Sequence, residues 1–445
     1  MILDGLARNE RAFTRWLVRG GIGLSAALAV PAMAQGQAAT LVPDSGDTAW
    51  MLAASALVLF MTLPGLALFY GGLVRARNLL SVMMHCFAVA AVASLIWGVV
   101  GYSIAFAPGT PWTGGALNVG LSNLALLREG MTVPESAFVL FQMMFAIITP
   151  ALMIGTFVER VRFGWLLGFS ALWSLLVYAP VAHWVWGGGW LAELGTLDYA
   201  GGIVVHTTAG VSSLVIALLI GRRNGFPQKL ILPHSPALTM VGAGMLWVGW
   251  FGFNGGSALG AGDGAASAML NTHFGACAAA LTWIAVERIK LGRATTVGIA
   301  TGAIAGLATV TPAAGMIGPI GAMAMGVLGA LVCFAVVILV RHKWHIDDSL
   351  DVFAVHGVGG MLGSLLLAPF ASAALGGAGY DGELGVTSQF VAQAVGVGAV
   401  ALWSAVVTLA ISLIVAVIAP MRVSLDAERE GLDISSHGER AWEFD

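Results

Sequence analysis

The sequence predicts an all-α polytopic membrane protein with eleven transmembrane helices, and three observations predict it. Residues are 58% hydrophobic and only 10% charged, with 60 glycines among them, which excludes a soluble globule. Eleven apolar runs are each long enough to cross a roughly 30 Å hydrocarbon core. An acid and a histidine recur eight residues apart in the fifth and tenth runs, as Asp198 to His206 and Asp348 to His356. The net charge of −3 gives no electrostatic footprint for nucleic acid. Cys86, Cys277 and Cys333 lie inside apolar runs without metal-ligand spacing, so they read as small buried hydrophobes, and no disulfide framework is implied.

The chain opens with Arg8, Arg11, Arg15 and Arg19, then a short apolar run over 20–30 and Pro31-Ala32-Met33-Ala34. That order of charged, apolar and small residues predicts a signal peptide over 1–34, cleaved after Ala34. An uncleaved first anchor is the alternative, although the run is short for a span. An external polar segment over 35–49, a membrane domain over 50–420 and a charged tail over 421–445 follow.

The eleven runs fall at 50–73, 79–107, 135–158, 163–181, 199–221, 235–255, 266–286, 295–311, 317–340, 351–370 and 390–419. Lys and Arg should concentrate in alternate connections on the cytoplasmic side. Arg75, Arg77, Arg160, Arg162, Arg222, Arg223, Lys229, Arg288, Lys290, Arg293, Arg341, Lys343, Arg422, Arg429 and Arg440 all fall on one side, and Arg128 alone falls on the other. This sets an external mature N-terminus and a cytoplasmic C-terminus. Because five runs separate the two acid–histidine segments, the repeat unit is odd and must invert: helices 1–5 and 6–10 form an inverted repeat, with the eleventh peripheral. Transporters built this way place their sites between the repeats.

At about 1.5 Å per helical residue, eight residues carry the chain roughly 12 Å, close to half the hydrocarbon thickness. Asp198 would then lie near the external surface, Asp348 near the internal one, and both histidines near the midplane. Ionisable groups at that depth ordinarily face an interior or a water-filled path. The bland alternative is two histidines hydrogen-bonded in a helical core. Glycine pairs at 71–72, 201–202, 255–256 and 359–360 allow close helix crossings.

Other candidates cluster towards the external side. His183-Trp-Val-Trp186-Gly-Gly-Gly-Trp190 reads as a connection between the fourth and fifth runs. Tryptophans there are ordinarily interfacial anchors, but Trp186 stands twelve residues before Asp198, where an indole face attracts a cation. Phe141 and Phe145 in the third run, and Trp250, Phe253 and Ser257 at the end of the sixth, put an aromatic stripe and a hydroxyl at the same mouth. An aromatic stripe taken alone is plain packing.

Together these segments resemble the ammonium transporter family, and the resemblance runs from about residue 50 to 442. It is carried by Pro64-Gly-Leu-Ala-Leu-Phe-Tyr70-Gly-Gly, the segment from His183 to Trp190, Asp198 to His206, Gly249 to Ser257, and Asp347-Asp348 through His356-Gly-Val-Gly-Gly. The resemblance implies a homotrimer in a bacterial inner membrane, each subunit with its own pore, and no cofactor or enzymatic activity. It implies His206 and His356 as a twin-histidine proton relay, Trp186, Phe145 and Ser257 as recruitment residues, and Phe145 and Phe253 as the gate. Asp198, Trp250 and Asp348 are implied in support. Ile203 and Leu350 depart from the residues common in the family without touching the pore set. The tail, including 422–433 and His437-Gly-Glu439, also resembles the family's, with Trp442 where another aromatic is common, and implies a PII-type regulatory partner.

The expected cargo is ammonium, passing as ammonia plus a proton or as net ammonium. An ammonium sensor acting through its tail is one alternative. A haem protein ligated by the two histidines is another, and it requires a cavity wide enough for a macrocycle. A metal hydrolase lacks both an HExxH segment and a third ligand at suitable spacing.

Overall fold

The computed structural model describes residues 42–228, 231–380 and 385–442. The expected signal peptide with its cleavage point, the residues before 42, Lys229 and the last three tail residues lie outside them. Eleven spans cross the described chain. They are α1 (Ser45–Leu73), α2 (Ala76–Phe106), α3 (Glu135–Phe157), α4 (Phe163–Glu193), α5 (Gly202–Ile220), α6 (Pro236–Gly256), α7 (Asp263–Leu291), α8 (Thr296–Ala313), α9 (Pro319–Lys343), α10 (Phe353–Phe370) and α11 (Val386–Ile418). Two short tail helices follow, α12 (Leu425–Glu430) and α13 (Leu432–His437).

Most span ends shift by a few residues from the sequence reading, and two of the differences bear on the expected segments. The first span starts at Ser45 rather than 50, because the Asp44 side chain accepts the Asp47 N–H at 2.8 Å and caps the helix inside the expected polar segment. The stretch His183 to Trp186 is not a connection but the end of α4. Pro180 does not end the span: the helix runs on through it from the π-helical turn Ser174–Tyr178. The chain breaks only at Gly187–Gly189, before a last short turn. His183 is held there, both ring nitrogens lying against carbonyls, Nδ1 3.0 Å from Ala105 O and Nε2 2.8 Å from Thr110 O.

Neighbours repeat with an offset of five spans. α1 packs on α3 and α6 on α8; α2 packs on α3 and α4, and α7 on α8 and α9; α3 packs on α5 and α8 on α10. The halves join where α1 meets α6 and where α5 meets α10. α3, whose apolar window is 89% buried, forms the interior; α11, at 28%, lies outside against α4, α5 and α10. The tail folds back on the end of the bundle that carries Asp348, away from Trp186.

Close packing of α5 on α10 depends on glycine. A Cβ on Gly210 would meet the Gly357 Cα at 2.1 Å, so the two backbones touch one turn beyond His206 and at the residue next to His356.

Candidate functional site

His206 and His356 both lie on π-helical turns, Gly202–Thr207 and Phe353–Val358, that open α5 and α10. Single π-turns recur at functional positions in helices. The first is set up by Gly201, whose φ of 115° only glycine adopts readily. It is then capped by Asp198: one carboxylate oxygen accepts N–H bonds from Gly201 and Gly202 at 2.8 and 2.7 Å, the other from Ile203 and Val204 at 2.8 and 2.9 Å. Four bonds fill about four lone-pair positions, so Asp198 organises the turn and presents nothing to a ligand. Asp348 does the same at the opposite end, accepting from Thr156 Oγ1 and Phe353 N, each at 2.7 Å. Both acids are buried rather than surface groups.

The eight-residue spacing brings the histidines together. Their Nδ1 atoms lie 3.3 Å apart, with ring centroids at 5.2 Å and planes 21° apart. One ring must donate and the other accept across that contact, so two neutral imidazoles hold one shared proton between them. His206 Nε2 is buried with no partner among the described residues. Phe69, Ile148, Leu152, Leu246, Trp250 and Ile304 are among the side chains that complete a cavity of about 10 Å³ around the pair. That is room for about one water-sized molecule and none for a macrocycle, which excludes haem between these two rings.

Trp250 stacks on His206 at 5.6 Å and 22°. Its indole N–H donates to Thr311 Oγ1 at 2.8 Å, and Thr311 donates in turn to Leu307 O. Thr311 escaped the sequence reading because a threonine in an apolar helix has many uses, most of them local.

Next to His206, Phe253 packs on Phe145 at 4.4 Å between centroids, and Phe145 meets Trp186 edge-on at 5.6 Å. These rings separate the histidine cavity from a second, open one of about 270 Å³. Trp186, Phe145, Ser257, Gln142, Tyr199 and Arg128 line it. Trp186 Nε1 donates to the Asp198 carbonyl at 2.7 Å, which fixes the indole plane. Ser257 Oγ donates to Phe253 O at 2.9 Å and so keeps its lone pairs for a donor in the cavity. Gln142 Oε1, at the same wall, is buried without a partner among the described residues. Thus Trp186, Phe145 and Ser257 line one cavity, Trp250 and Phe253 line the histidine cavity instead and Phe141 lines neither, while Arg128 and Gln142 join the open one unforeseen.

At the far end, buried ions tie the helix ends to the tail. Glu159, fully buried, pairs with Arg75 at 2.7 Å and Arg223 at 3.3 Å, and Arg223 pairs with Asp347 at 2.8 Å. Burial alone would raise the Glu159 carboxyl, but Arg223 and Arg75 outweigh it and hold it below the usual range. Asn78 donates to Glu159 and accepts the Leu432 N–H. Asp433 accepts the Ser81 N–H at 2.7 Å, and Glu428 accepts the Asn224 N–H at 2.7 Å while pairing with Arg422. The sequence showed a charged tail but not that Asp433 bonds the start of α2 and Glu428 the turn after α5.

The chain matches the Ammonium Transporter Family over residues 49–442. It is 44% identical to an ammonium transporter of Bacillus subtilis over 401 residues, 89% of this chain and 98% of that one. Among solved structures it superposes on the sensor Amt protein with a TM-score of 0.83 at 28% identity, covering 88% of this chain and 98% of that one. It superposes on Mep2 of Saccharomyces cerevisiae with a TM-score of 0.79 at 36% identity, covering 87% and 90%. With a family match from residue 49 to 442, eleven spans among the described residues and a relative matched over nearly its full length, this chain is a member of the ammonium transporter family.

Proposed function

We propose that the protein carries ammonium into the cell through the path from the 270 Å³ vestibule to the histidine pair. Trp186, Phe145 and Ser257 recruit the cation, Phe145 and Phe253 gate the narrow part, and His206 and His356 relay the proton. The observation that carries this reading is the Nδ1 to Nδ1 contact inside a cavity of about 10 Å³, behind the packed rings of Phe145 and Phe253. An uncompensated ion there costs several kcal/mol even after relaxation. An amine escapes that cost by releasing its proton, which burial favours. K⁺ and Na⁺ have no proton to give and are rejected.

The test is electrical recording on proteoliposomes during an ammonium pulse, with a lumenal pH dye. A current, or lumenal alkalinisation without one, is expected for ammonium and neither for K⁺. Silence on both channels with correctly folded protein would remove the proposal.

The vestibule faces outward and the tail inward in this reading, in a multi-pass protein of a bacterial inner membrane. The protein assembles as a homotrimer, and a PII-type protein docks on the basic inner face. Deleting 421–445 should impair transport and abolish capture of such a partner from cells shifted to high ammonium. A sensor role through the tail draws on the likeness to the sensor Amt protein, at lower identity than the likeness to the B. subtilis transporter. Full transport by the tail-less chain, with lost ammonium signalling, would favour it.

A further inference from the structure

Arg128 is the one Lys or Arg that the span count leaves on the Trp186 side, and it lines the same cavity as Trp186, Phe145 and Ser257. Its guanidinium carbon lies 4.7 Å from the Phe138 ring centroid and 5.5 Å from that of Phe106. Its Nη1 lies 3.5 Å from Glu135 Oε1. Glu135 is itself buried, and it accepts the Tyr102 hydroxyl at 2.6 Å and the Ala125 N–H. The Arg128 side chain is not needed to close its own turn. Backbone bonds from Arg128 N to Val133 O and from Met131 N to Arg128 O, each 3.0 Å, already do so.

We infer that the Arg128–Glu135 pair sets the electrostatic potential of the vestibule and thereby decides which cations it holds and how tightly. The inference rests on the recruitment reading above. Glu135 lies behind the wall, one contact away through Arg128, rather than on it, and left unpaired it would place a net negative charge beside the cation vestibule. Its attraction scales with ligand charge, and carboxylate oxygens suit hard divalent ions, so an unpaired Glu135 would draw Mg²⁺ or Ca²⁺ ahead of a weakly held monovalent ion. Arg128 cancels that charge in place. A flat guanidinium does this better than an ammonium, since it lies over two rings while its fork reaches the acid. The mouth then recruits chiefly by aromatic faces and the Ser257 hydroxyl, which suit a small monovalent hydrogen-bond donor.

The experiment measures the half-saturating ammonium concentration and inhibition by Mg²⁺ in proteoliposomes, at ionic strengths of about 10 mM and about 1 M, where the Debye length is roughly 30 Å and 3 Å. Arg128→Gln should lower half-saturation about threefold or more at low salt and make transport sensitive to Mg²⁺, with both effects fading at high salt. Glu135→Gln, which leaves the guanidinium uncompensated, should raise half-saturation and leave Mg²⁺ without effect. Arg128→Lys keeps the charge and should keep the resistance to Mg²⁺, which also covers the case in which Arg128→Gln fails to fold. Equal, salt-independent loss of turnover in Arg128→Gln and Arg128→Lys would mark a mechanical clamp and overturn the inference, as would unchanged half-saturation and Mg²⁺ response in a folded Arg128→Gln. Trp186→Leu separates the two claims. If that change leaves half-saturation untouched, the recruitment reading falls; if it raises half-saturation while the Arg128 variants behave as wild type, only the charge inference falls.

Discussion

His206 and His356 face each other Nδ1 to Nδ1 at 3.3 Å although 150 residues separate them. Among the described residues neither ring has a carboxylate within hydrogen-bond reach, so what orients them is each other and, for His206, the stacked rings of Trp250 and Phe253. A shared proton in such a pair can move only if both rings are present.

His206→Ala is therefore expected to cut ammonium conduction by roughly a hundredfold or more, the scale of a lost proton-transfer group, while the chain still folds and inserts. Stopped-flow alkalinisation of proteoliposomes reads it. Unchanged flux with unchanged rejection of K⁺ would sink the relay.

Asp198→Asn nearly preserves shape but replaces one of the two oxygens that between them accept four backbone N–H groups, so two of those bonds are lost. A carboxamide turns its NH₂ towards donors and leaves buried N–H groups unmet at about 1 to 3 kcal/mol each. Transport should fall about tenfold or more, because the turn bearing His206 and the carbonyl that fixes Trp186 both shift. Wild-type transport and thermal stability in this variant would reduce Asp198 to an incidental cap.

How much of this was legible in the sequence follows from which interactions are periodic. The spans were readable because lipid demands long apolar runs, and their order because Lys and Arg collect on alternate connections. The Asp198 and Asp348 spacing was readable because the two halves repeat it. The π-turns under His206 and His356 were not, since no side-chain pattern announces an i to i+5 bond. Nor were contacts such as Trp250 with Thr311, Arg128 with Glu135, or Asp433 with Ser81, which join residues 61, 7 and 352 positions apart. The Arg128 contact had a faint sign, a lone cation on the wrong side of the charge count.

The tail face gives a pH test. Glu159 has its carboxyl held below its ordinary value near 4.5 despite burial, which acts the other way, because Arg223 and Arg75 prevail. A carboxylate lowered in the folded state contributes stability above its unfolded pKa and loses it as pH falls through the folded value. Glu159→Gln should thus cost about 3 kcal/mol, with a gap from wild type that stays level from pH 8 to about 5 and closes below 4.5. Thermal unfolding in detergent across that range measures it. A gap that persists undiminished into acid would assign the loss to packing rather than charge.

The crossing of α5 and α10 gives the sharpest contrast between two similar substitutions. A Cβ added at Gly210 would lie 2.1 Å from Gly357 Cα and 2.3 Å from Gly357 N, and backbone cannot step aside without moving a helix. A Cβ at Gly357 would instead sit 3.1 Å from Gly210 Cα and 3.1 Å from a Phe353 ring carbon, a misfit of a few tenths of an ångström. Gly210→Ala should then separate the helices, open the His206–His356 contact and cost about 1 to 3 kcal/mol or more, the range for overpacking. Gly357→Ala should retain most of the stability and a measurable share of transport. Thermal unfolding with ammonium flux on the same preparations compares them. Equal tolerance of both alanines would mean that the two helices are not held backbone to backbone at this crossing.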